Sequence, residues 1–165
     1  MGSAMITRKD VPALFEVDDS WRDIYVPGVS AGEWNSLLLL VREECAGSHS
    51  FFVDGEASML PSSIEEIMRI YDDASPHLTI DLGGLVLRCR FSSAVEVIEM
   101  DFDPKELSDE TLPLLLAWIR RLGLLFARNV LVSPENSVKT PILMFDPGID
   151  RVMTISAVDR DPWDP

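Results

Sequence analysis

Residues 78–91, LTIDLGGLVLRCRF, leave little room for anything but an antiparallel hairpin. Leu78, Ile80 and Leu82 alternate with Thr79 and Asp81, the period of two of a half-buried strand. Gly83-Gly84 follows, and two adjacent glycines take the positive φ angles of a tight hairpin turn at no steric cost. Alternation then resumes with Leu85, Leu87, Cys89 and Phe91 on one side and Val86, Arg88 and Arg90 on the other. Ser92-Ser93-Ala94 reads as a second turn, leading to a third strand over 95–103. Ile98, Met100 and Phe102 form its apolar row; Glu99, Asp101 and Asp103 form its polar one. The alternation slips between Val97 and Ile98, which predicts a β-bulge.

The longest helix follows this three-stranded unit. Ser108 or Thr111 opens it, with Asp109 and Glu110 near its positive end and Pro113 in a first turn that tolerates it. Leu114, Leu115, Trp118, Ile119, Leu122, Leu125 and Phe126 make a face broad enough to need a sheet beneath it.

Upstream, residues 5–20 read as irregular, anchored by Leu14, Phe15 and Val17. WRDIYV at 21–26 is a strand closed by Pro27, which suits an edge. Ser30 and Glu33 are spaced as a capping box for a helix that carries Trp34, Leu37, Leu38, Val41 and Cys45 and stops at Gly47. Phe51 to Val53 is a strand ended by Asp54-Gly55. Ser62 or Ser63 then caps a helix with Ile64, Ile67, Met68 and Tyr71 at helical spacing, terminated before Pro76. Downstream, strands are expected at 130–132, 141–145 and 151–155. The expected fold is α+β: one layered domain over 5–156, its largely antiparallel sheet built on hairpin 78–91 and strand 95–103 and packed by three helices. Residues 1–4 read as a cloning scar and 157–165 as an acidic C-terminal tail with a lone Trp163.

Composition matters chiefly through charge. Fourteen basic residues against twenty-eight acidic ones give a net charge of −14. Such a field repels nucleic-acid phosphates and anionic membranes and hastens encounter with a basic protein. No apolar run approaches the roughly 20 residues of a membrane span. No secretory leader is visible, and Cys45 and Cys89 sit at apolar positions as buried free thiols, so a cytoplasmic setting is expected.

Glu99, Asp101 and Asp103, with Glu96 just before them, are the candidate site residues. Alternate strand residues lie roughly 7 Å apart, where two carboxylates repel by roughly 2 kcal/mol at an effective dielectric near 20. Three arrangements would relieve that repulsion. Arg88 and Arg90 on the neighbouring strand can neutralise the row, a basic protein partner can cover it, or a hard cation such as Mg²⁺ can bind it for hydrolytic chemistry. Only Lys105 lies close in sequence for metal-assisted catalysis. His49 and His77 flank turns at no zinc-ligand spacing, no G-x-S-x-G elbow occurs, and no cofactor motif is present.

WRDIYV, the capped helix SAGEWNSLLLLV and the acidic strand IEMDFD together resemble the small acidic immunity proteins of bacterial polymorphic-toxin systems. That resemblance implies a cytoplasmic, non-enzymatic protein that occludes a basic toxin or nuclease domain with carboxylates. It carries over no individual residue. The expected reading is therefore an acidic protein with a basic protein partner, no nucleic acid, no membrane and no cofactor, with Glu96, Glu99, Asp101 and Asp103 at the contact. A metal-dependent hydrolase built on the same row, or a self-assembling scaffold, is the alternative.

Overall fold

The computed structural model describes residues 5–93 and 95–155. Among these, nine strands form one antiparallel sheet: β1 (Arg22–Pro27), β2 (His49–Val53), β3 (Glu56–Ser58), β4 (Pro76–Asp81), β5 (Val86–Arg90), β6 (Val97–Phe102), β7 (Val130–Pro134), β8 (Leu143–Asp146) and β9 (Arg151–Thr154). Their spatial order is β3-β2-β4-β5-β6-β1-β7-β8-β9. The helices are the short α1 (Pro12–Phe15), α2 (Ala31–Glu44), α3 (Ile64–Asp73) and α4 (Leu112–Phe126). The architecture is α+β, as the alternation and capping signals predict.

The Gly83-Gly84 hairpin forms as expected. Both glycines have positive φ, Leu82 N–H donates to the Leu85 carbonyl, and Asp81 Oδ1 accepts from both glycine amides. Ser30 and Glu33 make the reciprocal capping box of α2, and Ser63 caps α3 by accepting from the Glu66 amide. Leu14 and Phe15 are buried as the anchors expected of them, but on the single turn of α1, and Val17 is exposed.

Two expectations are corrected. β1 is no edge: it lies between β6 and β7, and Pro27 is tolerated because the β7 ladder has already ended at the Tyr25–Leu131 pair. No bulge occurs at Val97–Ile98, since pairing with β1 runs unbroken from Pro27–Val97 to Arg22–Phe102. The Asp54-Gly55 turn ends β2 as expected; both residues have positive φ and turn the chain into β3, a short exposed strand that no apolar pattern announces. The acidic tail expected at 157–165 lies outside the described residues.

One face of the sheet carries the core. Ile24, Leu78, Ile80, Leu87, Ile98, Met100, Phe102, Val132, Leu143 and Phe145 are all wholly buried there. The helices cover them as one layer. α2 is tied to α3 by Asn35 Oδ1, which accepts from the Ile64 amide, and to α4 by the Arg128–Glu33 and Arg121–Glu44 ion pairs. α4 lies directly on β8. A Cβ on Gly123 would sit 2.1 Å from the Phe145 ring, so only glycine permits this approach. Arg22 ends the core face of β1, where its buried guanidinium donates to the carbonyls of Ala13, Glu16, Ser20 and Trp21.

Candidate functional site

The opposite face of the sheet carries the polar residues, and the registers arrange them in two cross-sheet rows. One row runs Ser50, Thr79, Arg88, Asp101, Asp23, Ser133. The next contains Arg90, Glu99, Tyr25, Leu131, Met144 and Met153. Strands that read separately as alternating polar and apolar thus deliver their charges to a single surface.

Asp101 lies at the centre of this face and is completely buried. Arg88 Nε donates to its Oδ1 at 2.8 Å, and Arg90 Nε donates to its Oδ2. The Arg88 guanidinium also stacks on the Trp21 ring at 3.7 Å from the centroid. A buried carboxylate is tolerable only when paired and hydrogen-bonded, and here two guanidinium groups do both. The cross-strand arginines neutralise this member of the row, which is one of the three arrangements the sequence allows. Asp101 has no surface to offer a partner, and each of its oxygens already accepts from a guanidinium.

Asp23 is buried beside Asp101, with its Oδ2 accepting from Tyr25 Oη and from the Asn136 amide, each at 2.8 Å. Burial pushes the Asp23 carboxyl above its usual range, against the lowering effect of those two hydrogen bonds. Glu99 shifts the same way, through burial first and the nearby Asp23 charge second, with Arg90 opposing. The Tyr25 phenol is also raised, by burial and by its bond to Asp23. Three carboxylates therefore share two guanidinium groups. Next to Asp23, the buried Ser133 hydroxyl has no hydrogen-bond partner among the described residues.

The other sequence candidates lie apart. Glu96 is exposed in the turn before β6, and its carbonyl accepts from the Val29 amide. Asp103 is half-buried just beyond the other end of β6, where it caps a 3-10 turn by accepting from the Lys105 amide. At about 3.3 Å per residue, the seven steps between them span roughly 23 Å. The four acids are not one contiguous site.

Asp103 does have acidic neighbours that the strand pattern does not single out. Asp81 holds the hairpin turn; Glu106 Oε1 accepts from the Val86 amide of β5, and Val86 pairs with Asp81. Asp109 and Glu110 are exposed in the following loop, which runs close to the hairpin: a Cβ added at Gly84 would lie 4.0 Å from the Thr111 methyl. Five carboxylates thus gather at the end of the sheet where the Gly83-Gly84 hairpin turns, with Lys105 within the run and Arg8 and Lys9 lining a cavity with Asp109. The run DPKELSDE over 103–110 was the available signal, but only the Asp81–Val86 register and the Val86–Glu106 bond bring Asp81 to it.

Charge pairing leaves most acids unspent. Among the described residues, six ion pairs join six arginines to only five carboxylates: Asp18, Glu33, Glu44, Asp101 and Asp150. No group of three or more His, Cys, Asp or Glu among the described residues is placed to hold a metal ion, and no described helix is long and apolar enough to cross a membrane. Compared with family models, curated proteins and solved structures, the chain gives no significant match.

Proposed function

We propose that this chain is a non-enzymatic binding protein whose acidic surface engages a basic protein, in the manner of a cytoplasmic immunity protein that neutralises a toxin or nuclease. The observation that carries this reading is the end of the sheet at which Asp81, Asp103, Glu106, Asp109 and Glu110 gather, where five carboxylates outnumber Lys105 and the Arg8 and Lys9 that share a cavity with Asp109. A net charge of −14, with only five carboxylates consumed by ion pairs among the described residues, supplies the long-range field. Complementary fields of this kind raise association rates and select partners by charge. Within the row read from the sequence, Asp103 belongs to this end of the sheet, Glu96 and Glu99 contribute field from further along β6, and Asp101 acts by holding Arg88 and Arg90.

The test is affinity capture from the native host's lysate at low salt with two baits. One is the wild-type chain and the other is Asp81→Asn/Asp103→Asn/Asp109→Asn/Glu110→Gln. Each substitution removes a charge but keeps an oxygen acceptor, so the hairpin turn and the 3-10 cap survive. A basic protein retained by the wild type and absent from the variant is the expected result. The same basic protein on both baits would remove this acidic end of the sheet from the binding surface.

A further inference from the structure

We infer that Asp23 is a proton-operated latch on the loop that joins β7 to β8: protonated, it keeps the loop closed on the open face of the sheet, and ionised, it lets the loop lift. This device is independent of the basic-partner reading.

Asp23 and Asp101 stand opposite each other on β1 and β6, both buried, and they are served unequally. Asp101 takes Arg88 on one oxygen and Arg90 on the other. Asp23 enters no ion pair among the described residues. Its donors are the Tyr25 hydroxyl and the Asn136 amide, both neutral and both on Oδ2. On the β7 side, the Ser133 hydroxyl opposite Asp23 is buried and bonds to neither of its oxygens. A buried carboxylate with no cation of its own, next to a second carboxylate, is costly when charged and tolerable when neutral.

The surrounding groups leave that balance in place. Burial outweighs the two hydrogen bonds to Asp23, and the Asp101 charge pushes its carboxyl up more than Arg90 on β5 draws it down. Arg88 is spent on Asp101 and on the Trp21 ring. Glu99, also on β6, is itself raised by the Asp23 charge. Glu135, in the loop, accepts from the Trp21 amide. His49 and His77 belong to β2 and β4, beyond β6 and β5.

The loop, residues 135–142, is tied to this part of the sheet by the Asn136 N–H on Asp23 at 2.8 Å and by Glu135 on the Trp21 N–H at 3.2 Å. Asn136 is exposed, so lifting it brings water to Asp23 and returns the carboxyl to its ordinary range. The closed form therefore holds a proton that the open form gives up. Closure is fully favoured below the ordinary carboxylate value, and rising pH weakens it until the raised value is passed. Lys139 and Thr140 of the same loop wall a cavity of about 270 Å³ opposite Asp10 and Val11, so the position of the loop sets the shape of that cavity.

The experiment follows the intact chain by NMR from about pH 4 to pH 8, reading the Asp23 carboxyl carbon and the hydrogen-exchange protection of the Asn136 amide. Asp23 should titrate above the ordinary carboxylate range. Asn136 protection, corrected for the intrinsic pH dependence of exchange, should fall by up to about tenfold per pH unit and level off above the Asp23 midpoint. Asp23→Asn keeps the oxygen acceptor and removes the proton, so its Asn136 protection should not change with pH. Glu99→Gln should retain the wild-type dependence. Titration of Asp23 at or below the ordinary value, or flat Asn136 protection in the wild type, overturns the latch even if Asp23→Asn fails to fold. A pH dependence that survives in Asp23→Asn, or disappears in Glu99→Gln, overturns the assignment to Asp23.

Discussion

The two faces of the sheet solve different problems with the same alternating strands. On the helix-covered face, each row ends in side chains that need only exclude water, and Leu78, Leu87, Met100 and Ile24 do so completely. On the open face, Arg88, Asp101 and Asp23 stand in a row just as regular, yet each is tolerable only through particular partners. Burial of apolar surface is non-directional and forgiving of detail; burial of charge is not. The covered face therefore fixes the fold, while the open face depends on a few hydrogen bonds that decide which acids are structural and which remain available to a partner.

The first way to break this contrast is steric. Gly123→Ala should cost about 3 kcal/mol, because the new Cβ collides with the Phe145 ring where α4 meets β8. Chemical denaturation would show it, and Phe145→Leu in the same chain should recover part of the loss. Additive losses would mean that the clash is relieved elsewhere.

The open face should yield next. Asp101→Asn leaves two guanidinium groups with a neutral, poorly matched acceptor and should cost about 2 kcal/mol in the same assay. The partial exposure of both arginines keeps the figure below that of a wholly buried pair. A loss as small as that of an ordinary surface substitution would mean that Asp101 is not the clamp described here.

A surface ion pair marks the lower end of the scale. Arg128 makes a bidentate contact with Glu33 that ties α4 to α2, but both side chains are partly solvated. Arg128→Ala should cost only about 0.5 kcal/mol, and less at high salt.

The smallest effect should have the opposite sign. Burial raises the folded-state pKa of Glu99 above its unfolded value, so within that window the native state holds more protons than the unfolded state. Stability from this group is present below the unfolded value and is lost as pH rises through the folded one. Glu99→Gln removes that loss. It should raise the melting temperature at neutral pH by about 1–2 °C, with the advantage fading below the ordinary carboxylate range. A lower melting temperature at pH 7 would show that the Glu99 charge is needed by Arg90.

The sequence announced the covered face well because periodicity reports it directly. Leu85, Leu87 and Cys89 fell on one side of β5 and Trp34, Leu37, Leu38 and Val41 on one side of α2, as hydrophobic spacing requires. β3 escaped notice because Glu56-Ala57-Ser58 buries nothing and owes its place to the turn before it. Pro27 suggested an edge because proline lacks a donor, a rule satisfied equally well at the end of a central strand. The acidic row was legible as a row, and so were its arginine partners one strand away. That Asp23 lies on the far side of Asp101 from Arg88 was not, because it depends on β1 inserting between β6 and β7. Asp81 joined the acidic end of the sheet for a similar reason, since only its pairing with Val86, held by Glu106, brings it there.

Most direct for the central claim is a calorimetric titration of the captured basic partner into the wild-type chain and into Asp81→Asn/Asp103→Asn/Asp109→Asn/Glu110→Gln, each at low and high salt. The account predicts that the wild type loses affinity steeply as salt rises. It also predicts that the four-fold variant starts weaker and responds to salt far less, with its melting temperature preserved. Equal affinity for the two chains, or wild-type binding indifferent to salt, would contradict it.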